Sequence, residues 1–296
     1  MAVTADSLAK PAAVSRSPTW IRIKDALRRH PTAIIGAIVL LLLIGMAIFA
    51  PFLGTIDPQA ISPVRRLRKP SEAYWFGTDM LGRDIYSRVV YGARVSLTVG
   101  LSVALFATLI GLAIGLVTGF VRWLDGIIMR VMDGLMSIPP ILLAIALMAL
   151  TRASMGNVIL AIAIAEVPRV TRLVRSLVLV LREQPFVEAA RAAGTRGWQI
   201  VLRHILPNCV PPLIVQATYI CASAIIIEAI LSFLGAGMPP NVPSWGNVIA
   251  EGRTLFQVAP YIVIVPSLFL SLTVLAVNLI GDGLRDALDP RLSRRL

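Results

Sequence analysis

Three stretches of this chain contain no charged side chain over the length of a membrane-spanning helix. They cover residues 33–53, 96–120 and 261–280, which hold 21, 25 and 20 residues. A hydrocarbon core about 30 Å thick is crossed by about 20 apolar residues of helix. The three stretches therefore predict membrane spans in an all-α, polytopic membrane protein.

Three further stretches are mainly apolar but carry polar or charged residues. They cover residues 126–150, 157–180 and 213–234. The second of them is the most polar, because it includes four charged side chains and a proline: Glu166, Arg169, Arg172, Arg175 and Pro168. With these three stretches, the sequence predicts six transmembrane helices.

The composition excludes other broad classes of protein. Hydrophobic residues make up 57% of the 296 residues, charged residues only 15%, and the mean hydropathy is +0.80. Average soluble chains are about 25% charged, and a chain this apolar is not disordered. A disulfide scaffold is excluded as well, because Cys209 and Cys221 are twelve residues apart, or about 18 Å along one helix.

The net charge of +12 reflects where the basic residues lie relative to the spans. If the N-terminus is cytoplasmic, 19 of the 28 Lys and Arg residues fall on the cytoplasmic side. The positive-inside rule then predicts that both termini are cytoplasmic, in a cell (inner) membrane. One basic run does not follow the rule, and it lies in the first external loop: Arg65, Arg66, Arg68 and Lys69. Nucleic-acid binding, the other interpretation of a basic chain, is disfavoured because the charges flank membrane spans.

The predicted organisation is one appended helix and loop followed by a five-helix core. In order, we expect a cytoplasmic tail over residues 1–31, a first transmembrane helix over 32–54, an external loop over 55–95, the core over 96–285 and a cytoplasmic tail over 286–296. The first span is interpreted as a retained anchor, because it is too long for a signal peptide and no cleavage site follows it.

The sequence does not indicate catalytic or metal chemistry. His30 and His204 are the only histidines, and no cluster has the spacing of a metal site or a catalytic triad. Residues 77–84 approximate a phosphate-binding loop, but Arg83 and Asp84 stand where Lys and a hydroxyl are needed. We therefore expect no catalytic residue, no metal and no bound cofactor in this chain.

Polar and small residues inside the spans suggest a pathway or helix packing. Gly111, Gly115 and Gly119 recur every four residues, which favours close packing of another helix, with pore lining as the alternative. Glu228 is an ionisable group within a span and, with Gln216, a candidate for the transport pathway. The alternative for Glu228 is a carboxylate paired within the bundle.

Glu166 and Arg169 are three residues apart near Pro168, a spacing that places two side chains side by side on a helix. We interpret them as a structural ion pair.

The stretch from 182 to 208 predicts two short helices between the fourth and fifth spans. Glu188, Ala189 and Ala190 lie in a first helix over 184–193, which Gly194 should end in a left-handed conformation. A second helix over 196–205 should end at Pro207. Two short helices at a turn, facing the cytoplasm between two spans, favour a compact plug over a loose loop.

This stretch resembles the EAA loop of bacterial ABC-importer permeases. The family pattern is E-A-A, three residues, Gly, nine residues, Ile, any residue and Leu-Pro. Six residues match it: Glu188, Ala189, Ala190, Gly194, Leu206 and Pro207. His204 takes the place of the Ile, with Ile205 beside it. The resemblance implies that residues 182–208, here called the coupling loop, dock on an ATPase subunit.

Three other segments, residues 76–94, 231–246 and 281–291, are similar to parts of the "C"-type subunit of dipeptide/oligopeptide permeases. The resemblance covers roughly residues 30–292 and implies the type I ABC importer permease fold. It also implies uptake of dipeptides or oligopeptides by alternating access. Nickel chelates, glutathione, opines and sugars are alternative cargoes, since related systems carry them.

The same resemblance implies the partners. They are a second permease subunit, two cytoplasmic ATPase subunits that bind ATP and Mg, an external substrate-binding protein and membrane lipid, with no nucleic acid. The chain itself would not be an enzyme. A stand-alone secondary transporter is disfavoured because no inverted repeat is visible, and a membrane-embedded enzyme or scaffold is disfavoured because no catalytic constellation is present.

Overall fold

The computed structural model describes residues 31–288, and this part of the chain is almost entirely helical. Within that range no β-strand forms, and pairing is limited to two isolated bridges. The helices are α1 (Pro31–Ile48), α2 (Ile85–Phe120), α3 (Arg122–Met136), α4 (Pro140–Ala149), α5 (Met155–Leu181), α6 (Pro185–Ala192), α7 (Gly197–Phe233), α8 (Trp245–Gly252) and α9 (Tyr261–Leu288). The predicted all-α fold class is confirmed, while almost all of the two predicted tails lies outside the described residues.

Four of these helices, α1, α2, α7 and α9, are long and apolar enough to cross a membrane. The pair α3–α4 passes the same test when it is taken as one bent unit, which makes five. Helix α5 has 27 residues, about 40 Å of helix, but its four charged residues lower its hydropathy. The predicted sixth span therefore depends on whether α5 crosses the membrane.

Contacts between α2 and α5 show the direction of both helices. Three glycines of α2 pack against three valines of α5. In chain order, the pairs are Gly111 with Val170, Gly115 with Val174 and Gly119 with Val178. The order is the same on both helices, so α2 and α5 are parallel. The pair α3–α4 must therefore carry the chain back from the end of α2 to the side of the bundle where α2 and α5 begin. This geometry supports α3–α4 as a broken span and α5 as a span.

The other long helices alternate in direction around this pair. Helix α7 is antiparallel to α2, because Ser96 lies beside Glu228 and Gly100 lies beside Cys221. In α9, Tyr261 contacts the connection before α2, while Asp282 contacts Tyr219 of α7. The first residues of α1 and the last residues of α9 therefore lie toward the side of the coupling loop. We call this side the coupling-loop end and the other the opposite end.

The predicted single helix over 126–150 is corrected by the structure. It consists of α3 and α4, which meet at a bend of 90° around residues 137–139. Pro139 and Pro140 explain the break, because proline lacks a backbone N–H and disfavours helical geometry in the residue before it. Pro140 then begins α4, in the first helical position that proline tolerates.

The second span also differs from the prediction, because α2 begins at Ile85 and not near Ser96. The Asp84 carboxylate caps this helix by accepting a hydrogen bond from the Ser87 backbone N–H at 2.9 Å. The charged side chains in these first turns argued against a membrane-spanning helix, but in the structure they pair with groups of other segments. Arg94, for example, donates to the Ile48 carbonyl oxygen of α1 at 2.8 Å. The last eleven residues of the predicted loop over 55–95 are therefore helical and belong to α2.

Candidate functional site

The first helix of the coupling loop forms almost as predicted, as α6 (Pro185–Ala192). Gly194 follows it with φ of +78°, the left-handed conformation that glycine adopts without a steric penalty. The Gly194 N–H donates to the Arg191 carbonyl at 3.0 Å, and the Thr195 N–H donates to the Ala190 carbonyl at 3.1 Å. These two bonds form a Schellman motif, which sets the angle at which the chain leaves α6.

The outer side of the coupling loop is exposed and partly apolar. Val187 is fully buried and attaches α6 to the bundle, while Glu188 and Ala189 are exposed and Ala190 is half-buried. Three large apolar side chains are exposed around them: Phe186, Trp198 and Leu202. Exposed apolar side chains of this size at the end of a membrane protein are suited to contact with another protein.

The second helix of the coupling loop does not end at Pro207, which corrects the prediction. It continues without interruption as α7, through a π-helical turn at Val201–Ile205. Pro207 follows that turn and lies in the first turn of the α-helical stretch, so the regular bonding of the helix is altered around the proline without ending the helix. The Asn208 side-chain amide donates to the His204 carbonyl at 2.6 Å beside the turn. The coupling loop is thus joined to the fifth predicted span by continuous helix.

The glycine strip of α2 lies against α5 within the same chain. A Cβ atom on Gly115 would lie 2.6 Å from the Val174 Cβ, which is closer than real atoms approach. Gly111 and Gly119 face equally close contacts with Val170 and Val178. All three glycines are buried, so the strip serves helix packing in this structure.

Glu228 of α7 is fully buried, with 0% of its surface exposed. Its carboxylate accepts hydrogen bonds from the Ser232 hydroxyl at 2.9 Å and, more weakly, from the Ser96 hydroxyl at 3.4 Å. Gln216, in contrast, is half-buried and lines a cavity of about 630 Å³ toward the coupling-loop end.

A second polar cluster lies between α5 and α7, and we call it the polar groove: Glu166, Arg169, Gln216, Tyr219 and Ser223. Arg169 donates to the Glu166 carboxylate at 2.9 Å, and the Ser223 hydroxyl donates to the same carboxylate at 3.4 Å. Leu173, one turn after Arg169, lines the 630 Å³ cavity together with Gln216 and Tyr219. The cavity therefore lies about one helical turn from the Glu166–Arg169 pair, on the side of the coupling-loop end.

A buried ion cluster at the opposite end was not predicted. We call it the ion cluster: Asp79, Arg83, Arg88 and Glu251. The Asp79 carboxylate accepts from the guanidinium groups of Arg83 and Arg88, both at 2.7 Å. Glu251 of α8 accepts from Arg83 at 2.5 Å and from Arg88 at 3.0 Å. The spacing of Asp79 and Arg83 was visible in the sequence, but Glu251 lies more than 160 residues away and carries no local signal.

The predicted basic run Arg65 to Lys69 lies on the surface at the opposite end. All four of its basic side chains are exposed. Its backbone is fixed against the segment before α2, because the Leu67 N–H donates to the Asp79 carbonyl and the Thr78 N–H donates to the Arg68 carbonyl. The structure therefore presents these charges on an ordered loop.

Metal and thiol chemistry find no support in the part of the chain that the structure describes. No group of three or more His, Cys, Asp or Glu side chains is placed to hold a metal ion in residues 31–288. Cys209 and Cys221 both lie on α7 and are free and buried.

Comparison with known families gives two matches. The model described as "Binding-protein-dependent transport system inner membrane component" matches residues 107–294. A second, described as "N-terminal TM domain of oligopeptide transport permease C", matches residues 19–70. Together they cover the appended first helix and most of the core.

Several curated proteins are similar to this chain over nearly their whole length. A probable peptide ABC transporter permease protein of Sinorhizobium fredii is 55% identical over 90% of this chain and 92% of its own. A dipeptide transport system permease protein of Alkalihalophilus pseudofirmus is 44% identical, over 92% and 90%. A glutathione transport system permease protein of Pectobacterium atrosepticum is 45% identical, over 90% and 89%.

A solved structure shares the fold. The inward-facing MetNI methionine ABC transporter matches with a TM-score of 0.58 and 22% sequence identity, over 68% of this chain and 97% of the matched chain. At this identity the likeness concerns the fold alone. It agrees with the type I permease fold expected from the sequence.

Proposed function

Because this chain belongs to the family of binding-protein-dependent transport system inner membrane components, and is the membrane-spanning permease subunit of an ABC importer, we propose that its cargo is a short peptide. The observation that carries this proposal is the set of near full-length relatives named for peptide, dipeptide and glutathione transport. Glutathione is itself a tripeptide, so the three names share one chemistry: an amino group, a carboxylate and at least one amide.

The proposed assembly has five protein chains. This permease pairs with a second permease, two ATPase subunits dock on the coupling loops, and an external binding protein delivers the peptide. ATP and Mg are held by the ATPase subunits. The absence of a phosphate-binding motif in this sequence and the exposed apolar surface around α6 support this division of labour.

The coupling residues are proposed to be Glu188, Ala189, Ala190, Gly194, Leu206 and Pro207. Small alanines allow a groove on the ATPase to approach α6 closely, and the Gly194 turn fixes the angle between α6 and α7. Since α7 continues unbroken from the coupling loop into the bundle, a displacement of the loop moves α7 as a lever. Alternating access would then follow from rocking of rigid helices about a central pathway.

The proposed orientation places the coupling-loop end in the cytoplasm. Both ends of the described chain lie toward that side, as the predicted topology requires. The positive-inside distribution of Arg and Lys supplies the absolute direction. The basic run Arg65 to Lys69 then lies outside the cell membrane, together with the ion cluster. In this topology α5 and the bent pair α3–α4 complete six spans.

The proposed function is tested by uptake. A strain lacking this permease, with and without the complementing gene, would be supplied with labelled dipeptides, tripeptides, glutathione, a nickel chelate, an opine and a sugar. We expect only the peptides, with or without glutathione, to depend on the gene. Dependence of the nickel chelate, opine or sugar alone would overturn the peptide proposal while leaving the importer class intact.

The partners are tested by purification in a mild detergent. A tagged permease should retain the second permease and the ATPase subunits, and the binding protein should stimulate ATP hydrolysis only when it carries peptide. A permease that purifies without ATPase subunits and still transports would support the secondary-transporter alternative.

A further inference from the structure

The polar groove borders charged side chains of α5 that are exposed on the surface of this chain, in a helix that the proposed topology places across the membrane. Arg169 lies in the middle of α5, and 48% of its side chain is exposed. Arg172, one turn further, is 51% exposed and pairs with Asp133 of α3 at 2.6 Å. Charged residues inside a membrane span normally face the bundle interior or a water-filled cavity, because exposure to lipid is costly.

The outer face of α2 shows a different exposed surface at the same level. Gly111 packs against Val170, so residues 109–111 of α2 lie level with Arg169. The exposed side chains there are purely apolar, and Leu109 is 54% exposed. At this level the outer face of α2 is therefore suited to lipid, whereas the exposed arginines of α5 are suited to water or to a polar partner.

The Glu166–Arg169 pair is also unsymmetrical. Glu166 is buried, with 1% of its side chain exposed, and both of its oxygens have partners within the chain. Arg169 uses one hydrogen bond within the described residues, to Glu166, although a guanidinium group carries five N–H donors. Glu166 therefore holds Arg169 in position, and the guanidinium group of Arg169 keeps N–H donors for a group outside the chain.

We propose that the polar groove lines the transport pathway and that Arg169, held by Glu166, contacts the carboxylate of the passing peptide. A guanidinium group binds a carboxylate in a paired, charge-assisted geometry. Gln216 and Tyr219 lie toward the coupling-loop end of the same groove and offer neutral polar groups suited to peptide amides. Because Glu166 offsets the charge of Arg169, the pathway orients a zwitterionic peptide without holding it tightly.

This assignment rests on the proposed peptide function, and it changes the interpretation of the pair from structural to substrate-contacting. It also gives Glu166 and Glu228, the two glutamates within the spans, different roles. Glu228 is sealed between Ser96 and Ser232, and it would reach a substrate only if these helices parted.

The first test is water access to the groove, which does not depend on the cargo. Arg169→Cys and Ser223→Cys, in the assembled importer, would be treated with a charged, membrane-impermeant methanethiosulfonate reagent, which reacts with thiolates in water. Leu109→Cys is the matched control at the same depth. We expect both groove positions to be labelled and Leu109→Cys to stay unlabelled, as should the buried Cys209 and Cys221.

The second test is transport. Arg169→Gln should lower the maximal rate of peptide uptake about ten- to a hundredfold, the loss expected for one charge-assisted hydrogen bond. Arg169→Lys should recover part of the rate because the charge is kept. The half-saturating peptide concentration, set by the binding protein, should stay unchanged. The double variant Glu166→Gln/Arg169→Gln removes both charges, so a rate as low as that of Arg169→Gln excludes an effect of the unpaired Glu166 alone.

Three outcomes would overturn the assignment. They are an unlabelled groove in every state of the cycle, full transport by Arg169→Gln, and full recovery of transport by the double variant. If the unmodified importer carries no peptide while the groove is still labelled, the peptide proposal fails and the water-filled pathway stands.

Discussion

The two ends of the helix bundle use the same residue types in different ways. At the opposite end, the ion cluster joins the segment before α2 to α8 through side chains that are mostly removed from solvent, and Arg88 is only 1% exposed. At the coupling-loop end, an ion pair such as Arg182–Glu183 lies at the surface, and the apolar side chains of the coupling loop are exposed. The charges of the ion cluster pair within the chain, whereas the coupling loop presents exposed groups to partners.

This contrast indicates that burial, and not residue type, separates the structural charges from those available for contacts. A buried charge that loses its partner destabilises the fold strongly, whereas an exposed pair contributes little. If this interpretation is right, substitutions should affect stability most at the opposite end and least at the coupling loop. Effects on uptake need not follow that order.

Arg88→Met should have the largest effect on stability. It leaves Asp79 and Glu251 with fewer partners in a buried site, and the expected cost is about 3–5 kcal/mol. We expect a large drop in the melting temperature of the detergent-solubilised importer, or loss of the protein from the membrane. Arg253→Met, an exposed arginine next to α8, is the matched control. Equal stability of the two variants would remove the distinction between the two ends.

Gly115→Ala tests the middle of the bundle and should have the second-largest effect on stability. The added methyl group would lie 2.6 Å from the Val174 Cβ and 2.9 Å from the Thr171 carbonyl oxygen. Overpacking of this kind costs about 1–3 kcal/mol. The control is Gly126→Ala on α3, where nothing lies within 4 Å. Thermal unfolding of both variants would measure the effect. A Gly115→Ala protein as stable as the control would show that α2 and α5 can move apart here without loss of stability.

Gly194→Asp should change stability by only about 1 kcal/mol, because Asp tolerates the left-handed conformation and no atom lies within 4 Å of the new Cβ. Uptake, however, should fall to the background of a strain lacking the permease, since the charged side chain lies on the proposed ATPase contact. Gly194→Asn keeps the shape without the charge and should retain uptake. Membrane abundance and peptide uptake measure the two effects, and undiminished uptake by Gly194→Asp would contradict the coupling role.

Glu183→Gln should have the smallest effect. Its carboxylate accepts from Arg182 at 2.9 Å, but 67% of the side chain is exposed. An exposed pair contributes about 0–1 kcal/mol, so the melting temperature should stay within experimental error of the unmodified protein. A destabilisation close to that of Arg88→Met would show that the coupling-loop end is as tightly closed as the opposite end.

Much of the fold and part of the site were predictable because their signals are local. Apolar segments of membrane length identified the spans, and Gly194 after the alanine-rich α6 identified the turn, which the structure confirms. The start of α2 was misplaced for a related reason. A hydropathy pattern excludes charged turns, whereas Arg88 and Arg94 are helical because distant partners satisfy them.

The remaining features depend on contacts between segments far apart in the chain. Pro207 suggested the end of a helix, yet a π-helical turn carries the helix past it into α7. Glu166 and Glu228 have the same side chain in similar helices, and no local pattern shows that one is bonded to an exposed arginine while the other is enclosed by serines.

The all-helical membrane class, the approximate spans, the turn at Gly194 and the family resemblance follow from residue patterns along one helix or one turn, so they can be read from the sequence. The bend of α3–α4, the parallel packing of α2 and α5, the ion cluster and the face of α5 that carries Arg169 emerge only in the folded chain. Burial and charge pairing depend on which helix lies opposite, and the identity of that helix is a property of the assembled bundle.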